Sequence, residues 1–158
     1  MNEPNPYRVP DAKVADPGGG PQRSTLAAVA AGLAVDVLGT LVGSVAVTLV
    51  LGIVLASQGI APEDMDDALA ASGAFQVFSV AFGLAFTVLG GYVAAKVANR
   101  RELWHGMVLG FASLAFGELY IVLTGVEIEP WQRIASWLLI VPAGIYGASL
   151  YRKLKRAA

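Results

Sequence analysis

The chain has 158 residues, of which 56% are hydrophobic and only 15% charged, and its mean hydropathy is +0.61. Those values exclude an ordinary water-soluble globule. The formal charge of −1 conceals a very uneven distribution, and the absence of cysteine excludes disulfides, thiolate metal sites and cysteine nucleophiles.

Residues 1–25 contain Pro4, Pro6, Pro10, Pro17 and Pro21 and the run Gly18-Gly19-Gly20. Such a segment has too little apolar surface to offset its ordering entropy and is expected to be an extended or disordered tail. The glycine run follows no strand pattern and lacks a Gly-Lys-Ser/Thr ending, so it does not indicate a nucleotide site. The first apolar run starts only at Leu26 and is too long for the apolar core of a secretory signal; it is expected to stay in place as an anchor.

Four apolar runs follow, at residues 26–57, 73–98, 103–125 and 134–151. Each falls within or above the roughly 17 to 25 residues that an α-helix needs to cross about 30 Å of hydrocarbon. The expected fold is therefore all-α: an integral membrane four-helix bundle over 26–151, with the tail before it and a short basic end at 152–158. What lies outside the spans is too small to bury a second core.

Between the first two runs, Pro62 stands at a helix-start position and Glu63, Asp64, Asp66 and Asp67 follow it. Acidic groups there complement the positive end of a helix dipole. A helix is expected from about Pro62 through 68–71, with a break near Gly73. The acids do not follow the frame of a calcium loop, so a solvated acidic cap is preferred over a cation site.

Small residues recur within the runs at packing distances. Gly39 and Gly43 form one GxxxG pair and Gly106 and Gly110 another, while Gly83, Thr87, Gly91 and Ala95 form a stripe. In lipid, such stripes allow close backbone approach. Packing within one bundle is the first expectation, and association with a second copy the other. Pro142, near Gly144 and Gly147, is expected to kink or loosen the last span.

Asp36 in the first span and Glu118 in the third are the acids inside the apolar runs, where charge is costly and faces the bundle or a wet cavity. Asp36 lies near mid-depth or close to the inner interface, according to which end of its long span is anchored. Lys96 is its expected partner, its stem reaching along the helix. Gln76, Ser79 or Arg133 is expected to satisfy Glu118, and the depths of the two acids argue against a direct dyad. A structural role for these groups is preferred over proton or ion translocation. His105, the only histidine, sits beside Trp104 at a span boundary and is expected to be an interfacial residue, not a metal ligand. Trp104, Trp131, Tyr92, Tyr120 and Tyr151 fall near span ends, whereas Trp137 and Tyr146 are expected to pack deeper.

Ten of the 11 basic residues fall on one side of a four-span topology, and only Arg133 on the other. The positive-inside rule places both termini and the 99–102 turn in the cytoplasm. No nucleophile elbow or dinucleotide fingerprint occurs, so neither catalysis nor a cofactor is expected. The expected partners are the lipid bilayer and either a second copy or another membrane protein, with no nucleic acid. The expected function is an accessory or scaffold bundle; the alternative is a small proton- or ion-coupled transporter or channel subunit using Asp36 and Glu118.

Two stretches carry a resemblance. Asn5-Pro6-Tyr7-Arg8-Val9-Pro10 is similar to an Asn-Pro-Tyr-x-x-Pro leader seen ahead of the first span in uncharacterised small bacterial membrane proteins. Gly90-Gly91-Tyr92-Val93-Ala94-Ala95-Lys96, continuing through Arg100-Arg101-Glu102-Leu103 to His105-Gly106, resembles the inner turn of small four-span bacterial proteins. The resemblance implies a bacterial inner-membrane location and the same fold, and it transfers no activity and no functional residue.

Overall fold

The computed structural model describes residues 24–157. The tail expected at 1–25 therefore lies almost wholly outside the described residues. Among the described residues, four helices are long and apolar enough to cross a membrane: α1 (Thr25–Ser57), α3 (Gly73–Ala98), α4 (Glu102–Thr124) and α5 (Pro130–Ala157). A short helix, α2 (Met65–Ala71), precedes α3 and is itself preceded by a single 3₁₀ turn at Pro62–Asp64. The chain is an all-α, multi-pass membrane protein in architecture.

Local chemistry sets the helix ends. Ser24 caps α1, its hydroxyl accepting from the Ala27 amide at 3.2 Å. Ser72, in extended backbone, ends α2 and caps α3 by accepting from the Phe75 amide at 3.3 Å, so the break falls one residue before Gly73. Pro62 opens the 3₁₀ turn, and Glu63, Asp64, Asp66 and Asp67 stand exposed in the first turns of the two short elements. Between α3 and α4 the turn is tight. Asn99 adopts the left-handed conformation (φ 51°), as does Arg101 (φ 44°). A non-glycine residue there costs about 1 to 2 kcal/mol. The Arg101 carbonyl offsets this by accepting from the Trp104 and His105 amides.

The helix α5 is longer than its apolar run, starting at Pro130 and continuing through the basic end to Ala157. The residues expected as a separate tail at 152–158 thus form its last turns as far as Ala157. It remains helical through Pro142, which lacks the amide that would otherwise bond to the Leu138 carbonyl.

In the bundle, α3 packs against α1, α4 and α5, and α4 also reaches α1. Lipid tails are as apolar as leucine, so the helices associate through close packing and interhelical hydrogen bonds, not through exclusion of water. Glycines set the closeness. A Cβ at Gly32 would lie 2.6 Å from the Gly90 carbonyl oxygen, and one at Gly90 would lie 2.7 Å from that of Gly32. A Cβ at Gly91 would collide with the Gly144 carbonyl, and one at Gly147 with the Val88 carbonyl. Gly106 meets Gly144 and Ala148, Gly110 meets the Val141 backbone, and the Phe86 ring lies over both Gly39 and Gly43. Gly83 is the exception to the expected stripe: nothing lies within 4 Å of the position its Cβ would take, because it falls outside the seam made by Thr87, Gly90, Gly91, Ala94 and Ala95.

The buried residues crowd into one half of the bundle. Those of α3 begin at Thr87, those of α4 end at Ser113, and those of α5 begin at Gly144. This is the half next to the 99–101 turn and the described chain ends. Towards the other end, large side chains such as Val77, Phe78, Leu119, Val122, Ile134 and Leu138 are exposed, forming a surface suited to acyl chains. The far end of α1 instead meets α2, whose Leu69 is buried.

This packing gives a discriminating prediction. Gly91→Val and Gly147→Val should each destabilise the protein by about 1 to 3 kcal/mol or more, since a backbone carbonyl cannot step aside as a side chain does. Gly83→Ala should leave stability unchanged. Thermal unfolding in detergent, followed by circular dichroism, measures all three.

Candidate functional site

The polar core of the bundle centres on Asp36, which is only 5% exposed. Its helix, α1, faces α3 and α4, and each of those supplies one hydroxyl. Thr87 on α3 lies 3.0 Å from Oδ1, and Ser113 on α4 lies 2.5 Å from Oδ2. Asp36, Thr87 and Ser113 are each 11 residues from the helix end on the terminus side. At 1.5 Å rise per residue that is about 16 Å, near the middle of about 30 Å of hydrocarbon. That shared level fits the mid-depth alternative for Asp36 when the hydrocarbon begins at the helix ends.

Lys96 is not the partner. It is exposed on α3, nine residues beyond Thr87, about 13 Å further towards the helix end. Short hydroxyls at the level of the acid satisfy it without an ammonium having to enter hydrocarbon.

The donor count of the cluster is informative. The Thr87 hydroxyl is also 3.0 Å from the Gly83 carbonyl oxygen of its own helix. A hydroxyl has one proton to give. If the Asp36 carboxyl carries a proton, Asp36 donates to Thr87, Thr87 donates to Gly83 and Ser113 donates to Asp36, and every group is matched. If the carboxyl is ionised, Thr87 and Ser113 both donate to Asp36, and the Gly83 carbonyl keeps the backbone amide of its own helix.

Leu109 fills the next layer towards the terminus side. It is fully buried, and its two methyl groups lie against Gly32 and Gly90. One further turn along α4 is His105, 2% exposed, whose Nδ1 is 3.2 Å from the Arg101 carbonyl oxygen. With Nδ1 donating, Nε2 is an acceptor buried without a hydrogen-bond partner among the described residues. The expectation of an interfacial histidine is thus corrected: although near the span end, His105 is inside the bundle. The two glycine-rich seams beside it let α4 come close enough to enclose the ring.

Glu118 lies on a different face of α4, where it pairs with Arg133 and accepts from the Trp137 indole at 2.7 Å. Arg133 was among its expected partners. The Arg133 guanidinium also stands 6.0 Å from the centre of the Trp137 ring. Trp137 is therefore no deep packing residue: it is 55% exposed, as is Tyr146. Nearby, Gln76 joins three elements: it donates to the Ala70 carbonyl at 2.9 Å, its side-chain oxygen accepts from the Trp131 indole at 3.1 Å, and its carbonyl accepts from Gln132 at 3.4 Å.

At the opposite end, Lys155 pairs with Glu102 at 3.1 Å and reaches the Asn99 carbonyl at 3.4 Å. Tyr151 donates to the Asn99 side chain at 3.2 Å, and its ring meets Tyr92 edge-on at 5.5 Å. The 99–101 turn is clamped to the end of α5 in this way.

Sequence reasoning singled out Asp36, Lys96 and Glu118. The structure sets Asp36 and Glu118 in separate clusters and leaves Lys96 outside both. Ser113 was missed, and Thr87 was read only as a small packing residue. Their signal was positional: each stands as far from its helix end as Asp36 does from the start of α1.

No protein-family model matches the chain, and no curated protein or solved structure matches it.

The cluster makes a testable distinction among substitutions at Asp36. Asparagine has one acceptor and one donor group, so Asp36→Asn should cost less than about 0.5 kcal/mol, whereas Asp36→Leu strands the Ser113 hydroxyl, leaves Thr87 only its Gly83 carbonyl, and should cost about 1 to 3 kcal/mol. A double-mutant cycle between Asp36→Leu and Ser113→Ala should show coupling of about 0.6 to 1.7 kcal/mol. The equivalent cycle with Lys96→Met should show none. Equilibrium unfolding in mixed micelles gives both cycles.

Proposed function

We propose that the chain is a bacterial inner-membrane scaffold: a small accessory bundle with both termini in the cytoplasm, whose task is to present a rigid set of helices to the bilayer and to other membrane proteins. The observation that carries this reading is the filling of the bundle's centre by backbone. Gly32 against Gly90, Gly91 and Gly106 against Gly144, and Gly147 against Val88 bring all four spans together through their main chains, with Leu109 sealing the space between. Packing of this kind favours a fixed assembly over a conduit, because opening a path would separate backbones already in contact. Orientation and location are supported by the ten-to-one bias of basic residues and by the resemblance at residues 5–10 and 90–106.

A second reading, a proton- or ion-coupled transporter subunit, is favoured by one specific feature: a carboxyl at mid-depth, bound by two hydroxyls. The two readings part in reconstituted liposomes carrying an internal pH-sensitive dye. For a scaffold, an imposed pH or ion gradient should decay at the rate of protein-free vesicles, and Asp36→Asn should not alter it. A protein-dependent flux abolished by Asp36→Asn would establish the transporter instead. Orientation has its own test. Single cysteines at Met65 and Ile128 should react with an impermeant maleimide in intact cells, and one at Arg100 only after the cells are opened.

A further inference from the structure

An open pocket of about 330 Å³ lies where α4 begins and α5 ends, lined by Arg101, Glu102, Leu103, Trp104 and Arg152. We propose that this pocket binds the phosphodiester headgroup of an anionic phospholipid, with Arg101 and Arg152 holding the phosphate oxygens.

The charges favour an anion. Neither the Arg101 nor the Arg152 guanidinium makes a hydrogen bond or ion pair among the described residues, although the charge of Arg152 also acts on Glu102. Glu102, the one acid in the lining, is already held by Lys155 at 3.1 Å. Two arginines, one from the turn before α4 and one from α5, therefore line one cavity with a surplus of positive charge. Guanidinium forks match the oxygens of a phosphate, and each basic group near a membrane surface contributes about 1 kcal/mol towards an anionic lipid. Arg101, in left-handed backbone (φ 44°), enters the lining where the chain turns into α4.

Position favours a lipid over a free phosphate. The pocket sits at a span end, the depth of headgroups, and Trp104 in its wall is 54% exposed at the level where indole rings settle in bilayers. Leu103 and Trp104 give the cavity an apolar wall beside its charged residues, which fits a ligand with a charged head and a hydrocarbon body. The site is separate from the Asp36 cluster and does not depend on how the scaffold question is answered.

The test uses the full chain in nanodiscs of phosphatidylcholine, with or without phosphatidylglycerol, followed by native mass spectrometry after gentle release into detergent. The wild type should retain phosphatidylglycerol in preference to phosphatidylcholine. Retention should fall about fivefold for each of Arg101→Gln and Arg152→Gln. Arg101→Lys with Arg152→Lys, which keeps the charge and loses the forks, should retain an intermediate amount. Lys153→Gln, which removes an exposed charge outside the lining, should change retention little. A wild type that retains both lipids equally would overturn the proposal without recourse to any variant. So would a loss in Lys153→Gln as large as that in Arg152→Gln, which would mean diffuse attraction. If inorganic phosphate or glycerol phosphate in millimolar excess displaces the lipid fully, the pocket reads a soluble anion and the lipid assignment fails.

Discussion

Backbone contact around α3 is the constraint on which the rest of this molecule depends. Within a bilayer, helices gain little from hiding apolar side chains from a solvent that is itself apolar, so the gain must come from dispersion at short range. Here α1 and α5 both approach α3 until carbonyls of one helix lie where the side chains of another would stand, at Gly32 and Gly90 on one side and at Gly91, Gly144, Gly147 and Val88 on the other. This close approach encloses Leu109 and His105 and brings the Thr87 and Ser113 hydroxyls within hydrogen-bonding reach of Asp36.

The polar groups then act as fasteners at distinct depths. The Asp36 cluster ties α1, α3 and α4 together between the two ends of the bundle; Gln76 with Trp131 and Gln132, and Glu118 with Arg133 and Trp137, hold one end; Asn99 with Tyr151 and Lys155 holds the other. Individual hydrogen bonds between membrane helices contribute modestly, about 0.6 kcal/mol on average. Their larger effect is on register: a slip of one residue would leave the Asp36 carboxyl facing hydrocarbon, a penalty of several kcal/mol. Close packing supplies the attraction, and the buried polar groups select one alignment.

The two halves of the bundle differ accordingly. The half beside the 99–101 turn is tight and glycine-lined, and the half beyond Asp36 presents large apolar side chains outward. Under the scaffold role proposed above, the close-packed half would serve as the base and the apolar half as the face that meets lipid or protein.

Much of the architecture was legible in the amino-acid sequence, because crossing a bilayer imposes length and hydropathy on each segment separately. The boundaries of α1 and α3 follow directly from their apolar runs, whereas α5 extends past its run at both ends, since helix continuity does not require an apolar residue at every turn. Small-residue spacing identified Gly39, Gly43, Gly91, Gly106 and Gly110 as contact positions but misplaced Gly83, since spacing gives a face of the helix and not how far along it a neighbour stays close. The cost of burying charge drew attention to Asp36 and Glu118. Their partners were another matter. Charge complementarity in sequence pointed from Asp36 to Lys96, and only the packed bundle, by fixing rotation and relative height together, brought Thr87 and Ser113 to the carboxyl and left the lysine outside. A single helix carries its own length, polarity and ends within its residues; which side chains meet across helices depends on three rotations and translations that no one segment encodes.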